Sequence, residues 1–309
     1  MEIVSILAPV LILVALGFLL RKIDFLDSLF FRNSAKLTYW VGLPSLLFYK
    51  IANAEVDYSD SWKISLVMIM AIAAVLLLAL AVSMVVVQGS GRRRTFILTS
   101  VYSNTAYVGL PVMFYALSST GNSHLIDVAS MAVAPMIPFI NIISTVIMGG
   151  SSGGSGKMAV AGIIRKVVLN PLIIACLAGI AAASAGLELP LFINRGLDSL
   201  GQMALPLALL SIGAGLSFST MKGSLLPAVT ASIFNIFLLP FMGFIFSRYL
   251  GLSDSHTLIA LVFMACPTAA STFIYAREMG GDYRFAGNVI VLSTLMATVS
   301  LWIVLALYI

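Results

Sequence analysis

The sequence predicts an all-α polytopic membrane protein, with ten transmembrane helices arranged as two inverted five-helix repeats. Three observations predict it. The 309 residues are 61% hydrophobic and only 9% charged, against a charged share of roughly 25% in soluble domains. A soluble globule cannot bury that much apolar surface, so lipid must be the solvent for most of it. The chain also cuts at polar clusters into ten apolar segments, and prolines recur at a fixed offset between its halves.

Composition excludes several classes. The formal charge of +5 and the isoelectric point near 9.3 do not indicate a nucleic-acid partner, because a basic excess in a membrane protein reports orientation. Cys176 and Cys266 both lie in apolar runs and read as core packing, not as a disulfide framework or zinc site. No metal or cofactor is expected. At the amino end Glu2 precedes the apolar stretch Ile3 to Leu20, and Arg21-Lys22 follow it. A secretory signal has the reverse order, so this segment reads as a retained first helix.

A membrane helix needs about 20 apolar residues. The segments meeting that length fall at 3–20, 33–53, 63–88, 95–117, 125–149, 160–185, 193–218, 223–249, 255–277 and 285–308. Their joints include Arg92-Arg93-Arg94, which reads as an anchor in the inner headgroup layer, the Gly/Ser run 149–156, and Gly280-Gly281-Asp282. The Gly/Ser run reads as a flexible linker, since a phosphate loop would need a Lys-Ser/Thr end.

Assigning basic residues to alternate sides tests the count. One side collects thirteen: Arg21, Lys22, Arg32, Lys36, Arg92, Arg93, Arg94, Lys157, Arg165, Lys166, Lys222, Arg277 and Arg284. The other has four: Lys50, Lys63, Arg195 and Arg248. The bias favours ten spans with both termini outside and a cytoplasmic central loop.

A shift of 162 residues superposes Pro9 on Pro171, Gly17 on Gly179 and Leu43-Pro44 on Leu205-Pro206; a second shift, of 156, pairs Pro111 with Pro267. Prolines are costly inside helices, so their coincidence outweighs matched leucines. The first repeat is then 1–148, the linker 149–159 and the second repeat 160–309. Five spans per unit force the second to enter from the opposite face, an arrangement that supports alternating access. Pro9, Pro44, Pro171 and Pro206 read as kinks.

Span 4 places a polar cluster, Ser103-Asn104-Thr105, at mid-depth ahead of Tyr107, Gly109 and Pro111; span 9 repeats the design with Cys266-Pro267-Thr268 and Ser271. Proline removes a backbone donor and glycine relaxes the chain beside it, so both spans are expected to break. Freed peptide groups in hydrocarbon are tolerated only against protein or a polar cavity. Two discontinuous helices at matching places mark a transporter's substrate site. The amino ends of the second half-helices favour an anion, held by backbone amides, the Asn104 side chain and the Thr105, Thr268 and Ser271 hydroxyls. Tyr107 reads as packing or cavity wall. A cation would need the carbonyl ends of the first half-helices.

Asn104-Thr105-Ala106-Tyr107-Val108-Gly109-Leu110-Pro111 resembles the fourth-helix motif of the auxin efflux carrier family, and Ala265-Cys266-Pro267 through Ala276-Arg277-Glu278 resembles its ninth. Leu205-Pro206 through Ala214 and the short central loop also fit, so the resemblance covers essentially the whole chain. It implies a fold like that of bile-acid symporters and sodium–proton antiporters, with spans 4 and 9 crossing at their breaks. It implies a scaffold of spans 1, 2, 6 and 7 that forms a homodimer, and a mobile transport domain of spans 3–5 and 8–10. The function implied is elevator-type secondary transport of small organic anions such as malate, malonate or auxin-like acids across the cell membrane. Asn104 stands where plant carriers place a carboxylate-contacting asparagine.

Ion coupling has a weaker signal, since a coupling carboxylate or histidine is usually buried. Asp127 is the best placed, although it falls near an outer helix end. Alternatives are a sodium-coupled symporter, or a channel or receptor on the same fold. An intramembrane enzyme is disfavoured: there is no His-Glu-x-x-His and no paired carboxylate within a span. The partners expected are the organic anion, membrane lipids and a second copy of the chain.

Overall fold

A computed structural model describes residues 2–53, 58–119, 123–149, 169–215 and 225–308. The 149–159 linker, beyond Gly149, lies outside the described residues. In chain order the α-helices are α1 (Glu2–Lys22), α2 (Ser28–Leu37), α3 (Leu43–Ala52), α4 (Tyr58–Val86), α5 (Ser90–Val101), α6 (Leu110–Ser119), α7 (Ser123–Val133) and α8 (Met136–Gly149). They continue as α9 (Pro171–Ser184), α10 (Leu191–Gly215), α11 (Leu225–Ile233), α12 (Leu239–Tyr249), α13 (Asp254–Met264), α14 (Ser271–Glu278) and α15 (Tyr283–Tyr308). Among the described residues, five continuous helical stretches are long and apolar enough to cross a membrane: Ser61–Val86, His124–Gly149, Leu191–Gly215, Leu225–Tyr249 and Tyr283–Tyr308. Helical residues occupy all ten sequence windows, several of them as two shorter pieces.

Among the described residues, three joints between pieces are π-turns, and each π-turn precedes a Leu-Pro pair. Thr38–Gly42 leads into Leu43-Pro44, Thr105–Gly109 into Leu110-Pro111, and Phe234–Leu238 into Leu239-Pro240. Proline has no N–H for the carbonyl four residues back, and its ring collides with that carbonyl. Widening the preceding turn to i→i+5 pairing relieves the collision: the Leu43 N–H donates to Thr38 and the Leu239 N–H to Phe234, both five residues back. At the third site a side chain completes the repair. The Ile236 carbonyl, four residues before Pro240, accepts the Ser300 hydroxyl at 2.6 Å. Pro171, expected as a kink, instead begins α9, where a missing N–H costs nothing; Asn170 caps that end by accepting from Leu172 N at 2.9 Å.

The chain divides into two compact units. The first comprises Met1–Trp62, Ala106–Pro138 and Ile164–Leu216. Within it α1 packs on α10 and α9 on α3, at glycines. A methyl group on Gly17 would strike the Leu210 carbonyl and one on Gly213 the Val14 carbonyl, while Gly179 lies against Ile51. Without side chains between them the backbones approach closely, which is how dispersion holds helices where lipid removes the hydrophobic driving force.

The second unit comprises Lys63–Thr105, Phe139–Ile163 and Ser217–Ile309. Its core gathers Phe96, Phe285, Ala79, Val289, Ala228 and Ala231, with Phe96 edge-on to Phe234 at 6.2 Å. Arg92 to Arg94, expected at headgroups, are engaged inside this unit. Arg92 Nε lies 2.7 Å from Asp282 Oδ2. Arg94 donates to the Met148 carbonyl at 3.2 Å and the Gly280 carbonyl at 3.1 Å, serving chain ends that α8 and α14 leave without partners. Cys176 and Cys266 are buried, and the Cys266 thiol donates to the Val262 carbonyl.

Candidate functional site

The helix interruptions that follow α5 and α13, in the windows read as spans 4 and 9, meet inside the second unit. α5 stops at Val101 and α13 at Met264, and the two short extended stretches that follow run antiparallel, bridged at Ser103 and Thr268. The Asn104 N–H donates to the Pro267 carbonyl at 2.8 Å, and the Ala269 N–H to the Tyr102 carbonyl at 2.9 Å. Each broken helix thus satisfies backbone groups that the other has exposed, which is what hydrocarbon demands of an interrupted span.

Side chains complete the exchange. The Thr268 hydroxyl donates to the Thr99 carbonyl at 3.1 Å, in the last turn of α5. The Ser103 hydroxyl donates to the Met264 carbonyl at 3.1 Å, the last of α13. The Thr268 N–H reaches the Ser293 hydroxyl of α15 at 3.0 Å, and the Asn235 amide of the Phe234–Leu238 π-turn reaches Ser103 at 3.1 Å. Two buried residues of this network, Ser293 and Asn235, were not singled out in the sequence. A lone asparagine in the apolar run 225–249, three residues ahead of Leu238-Leu239-Pro240, was the available signal for the last.

Pro267 lies in its break, as expected. Pro111 does not: span 4 is interrupted at Tyr102–Asn104, and Pro111 stands seven residues beyond Asn104, after the π-turn. The reason is that crossing partners, not proline, take the backbone groups of 102–104. Several amides expected to face an anion are likewise occupied, since the N–H groups of Asn104, Thr105, Thr268 and Ala269 all have protein acceptors.

Of the expected site residues, the structure gathers Asn104, Thr105, Pro267, Thr268 and Ser271 in the second unit. Asn104 and Thr268 are buried, Thr105 and Ser271 are half-buried, and Ala270 beside Ser271 is exposed. Tyr107, Gly109, Pro111 and Asp127 belong to the first unit. There the Tyr107 hydroxyl donates to the Ala35 carbonyl at 3.3 Å. Asp127 pairs with Lys50 at 3.8 Å, whose ammonium also stands 5.7 Å from the Phe114 ring centroid. In the second unit Tyr275, one turn past Ser271, donates to Asn141 Oδ1 at 2.8 Å and lies 6.5 Å from the Tyr102 ring.

The family model described as "Membrane transport protein" matches residues 2–305 of the chain. A Rhizobium meliloti protein named "Putative malonate transporter" is 28% identical over 63% of this chain and 61% of its own length. An uncharacterized transporter of Methanocaldococcus jannaschii is 26% identical over 67% of the chain and 66% of its own length. These two matches therefore span about two thirds of the relatives' lengths. An uncharacterized transporter of Methanothermobacter thermautotrophicus is 25% identical over 94% of both chains.

Proposed function

Because the chain belongs to the auxin efflux carrier family of membrane transport proteins, we propose that it carries small organic anions, mono- or dicarboxylates such as malonate or malate, across the cell membrane by elevator-type alternating access. The observation that carries this reading is the antiparallel bridge of Ser103 and Thr268. It joins two interrupted helices at a place where neither segment, 95–119 or 257–276, holds an Asp, Glu, Lys or Arg. Discontinuous helices crossing in this way are where secondary transporters bind substrate.

In this reading the carboxylate meets the Asn104 side-chain amide, the Thr105 and Ser271 hydroxyls and the amino end of α14 at Ala270–Ser271. Pro267 and Thr268 hold the crossing in shape, while Tyr107, Gly109 and Pro111 shape the half-helix that continues span 4. Two inverted repeats, 1–148 and 160–309, give the two access states similar energies. The reciprocal packing of α1 on α10 and of α9 on α3 supports such a repeat, since exchanging spans 1 with 6 and 2 with 7 maps one pair onto the other. The scaffold is drawn from spans 1, 2, 6 and 7 and dimerises; the moving part is drawn from spans 3–5 and 8–10, with both termini outside. The malonate named for the Rhizobium meliloti relative is the first substrate to try.

The test is uptake of labelled malonate, malate and indole-3-acetate by proteoliposomes, alongside a thermal-shift screen of the same acids, since a ligand of the folded state raises its melting point. Saturable uptake with a matching shift is expected. Absence of both for every carboxylate tried overturns the reading, and transport far faster than a conformational cycle replaces it with a channel.

A further inference from the structure

Asn235 is wholly buried and sits second in the Phe234–Leu238 π-turn. Its Nδ2 donates to Ser103 Oγ, which donates to the Met264 carbonyl, each across 3.1 Å. A hydroxyl has one proton to give, so the chain has one direction. The amide nitrogen faces Ser103, and Asn235 Oδ1 is left buried with no hydrogen-bond partner among the described residues. A buried amide oxygen without a donor is expensive to keep, and a π-turn inside a helix often marks a functional position.

We propose that Asn235 Oδ1, with Ser103 Oγ and the carbonyl end of α13 at Met264, forms a site for a sodium ion beside the crossing. All three are neutral oxygens: Ser103 Oγ and the Met264 carbonyl are joined by a hydrogen bond, Oδ1 belongs to the amide whose nitrogen donates to that same Oγ, and the carboxyl end of a half-helix adds partial negative charge. Hard cations take oxygen ligands, and unwound carbonyls at half-helix ends coordinate sodium in transporters. A divalent or transition ion is a poorer fit, because no group of three His, Cys, Asp or Glu occurs among the described residues.

The site deepens the transport reading and rests on it for its purpose. The apolar runs of the second unit, 64–86, 95–105, 139–149, 225–247, 257–276 and 285–308, contain no Lys or Arg. A carboxylate at the crossing has no fixed countercharge there, and an unpaired buried anion is strongly disfavoured. A sodium ion bound alongside supplies the charge and couples anion movement to the sodium gradient.

The experiment compares melting of the detergent-purified full chain in sodium chloride and choline chloride, without substrate, for wild type, Asn235→Leu and Asn235→Ser. Leucine matches the asparagine in volume and suits the apolar surroundings. Wild type should melt at least about 3 °C higher in saturating sodium, with Asn235→Leu unresponsive and Asn235→Ser intermediate. Labelled malonate uptake should fall at least tenfold when choline replaces sodium outside. No sodium shift in wild type, or an equal shift in Asn235→Leu, overturns the site. A malonate shift that persists without any sodium effect overturns the cation site and leaves the transport reading standing. A sodium shift without response to any carboxylate does the reverse.

Discussion

The backbone nitrogen of Asn104 donates to the Pro267 carbonyl across 2.8 Å, so residues 163 positions apart hold the two helix interruptions as one structure. The bond belongs to the backbone, which separates the holding role of this position from any role of its side chain. Asn104→Ala keeps the bond and deletes the amide. Malonate uptake should fall at least tenfold, about 1.4 kcal/mol of transition-state or ligand binding, more than the roughly 0.6 kcal/mol typical of a helix-bridging polar contact in membranes. The melting point should stay within about 1 °C of wild type. Wild-type uptake by the variant removes Asn104 from the substrate site.

The two prolines are expected to act differently. Pro267→Ala supplies an N–H inside the break and lets α13 extend toward Thr268, competing with the bridge. Pro111→Ala restores a donor for the Tyr107 carbonyl, four residues back, and lets the Thr105–Gly109 π-turn tighten to α. That rotates the Thr105 end relative to α6 by about one residue, roughly 100°. Both variants should transport more slowly, Pro267→Ala mainly through turnover and Pro111→Ala through apparent affinity as well. Initial-rate uptake over a malonate series separates the two, and unchanged kinetics in both would make the prolines incidental.

These prolines also show how far the sequence could be read. The all-helical, apolar character of the chain was legible because hydrocarbon imposes length and apolarity on a membrane helix; helix lies in each of the ten apolar windows, and five continuous stretches among the described residues reach spanning length. The position of the break in span 4 was not legible. Pro111 drew attention because proline is the visible helix breaker, yet the interruption at Tyr102–Asn104 is held by Pro267, Ala269 and Thr268, whose proximity no local pattern encodes. A shift of 162, already required by Pro44 and Pro206, carries residues 102–104 onto 264–266, the edge of the span 9 break. The separate shift of 156 matched two prolines that do different work. Ser293 and Ser300 were invisible for a related reason: a serine in an apolar helix usually bonds its own preceding turn, and only tertiary contact shows which ones reach elsewhere.

At the start of α15, Asp282 accepts Arg92 Nε at 2.7 Å and caps the helix by accepting Phe285 N at 3.0 Å. Its own N–H reaches Thr95 Oγ1 at 3.0 Å. Asp282→Ala removes a cap worth about 1 kcal/mol and an ion pair worth up to about 1 kcal/mol, since Arg92 is 40% exposed. A loss of about 1–2 kcal/mol is expected in equilibrium unfolding in detergent. Asp282→Asn should recover part of the cap, and equal losses for the two variants would show that the carboxylate charge carries the effect.

Gly17 and Gly213 face carbonyls of the opposite helix, Leu210 and Val14 respectively, with no room for a methyl group. Gly17→Ala must push α1 off α10, and overpacking of this kind costs typically about 1–3 kcal/mol. Gly196, with open space around it, is the control on the same pair's second helix: Gly196→Ala should be neutral or slightly stabilising, because alanine is the better helix former by about 1 kcal/mol. Melting of the three proteins side by side checks the ordering.

The repair of the Pro240 π-turn makes a prediction that only the pairing explains. Ser300 donates to the Ile236 carbonyl at 2.6 Å, and both lie fully or almost fully buried. Ser300→Ala on the wild-type background strands that carbonyl and should cost about 1–2 kcal/mol. Pro240→Ala restores an N–H at the position that serves residue 236 in a regular α-helix, so the carbonyl has a second donor. In that background Ser300→Ala should cost less than about 0.5 kcal/mol, a coupling of roughly 1 kcal/mol in a double-mutant cycle. Additive losses across the four proteins would mean that Ser300 stabilises α15 by some route independent of the proline, and that the π-turn is stable without it.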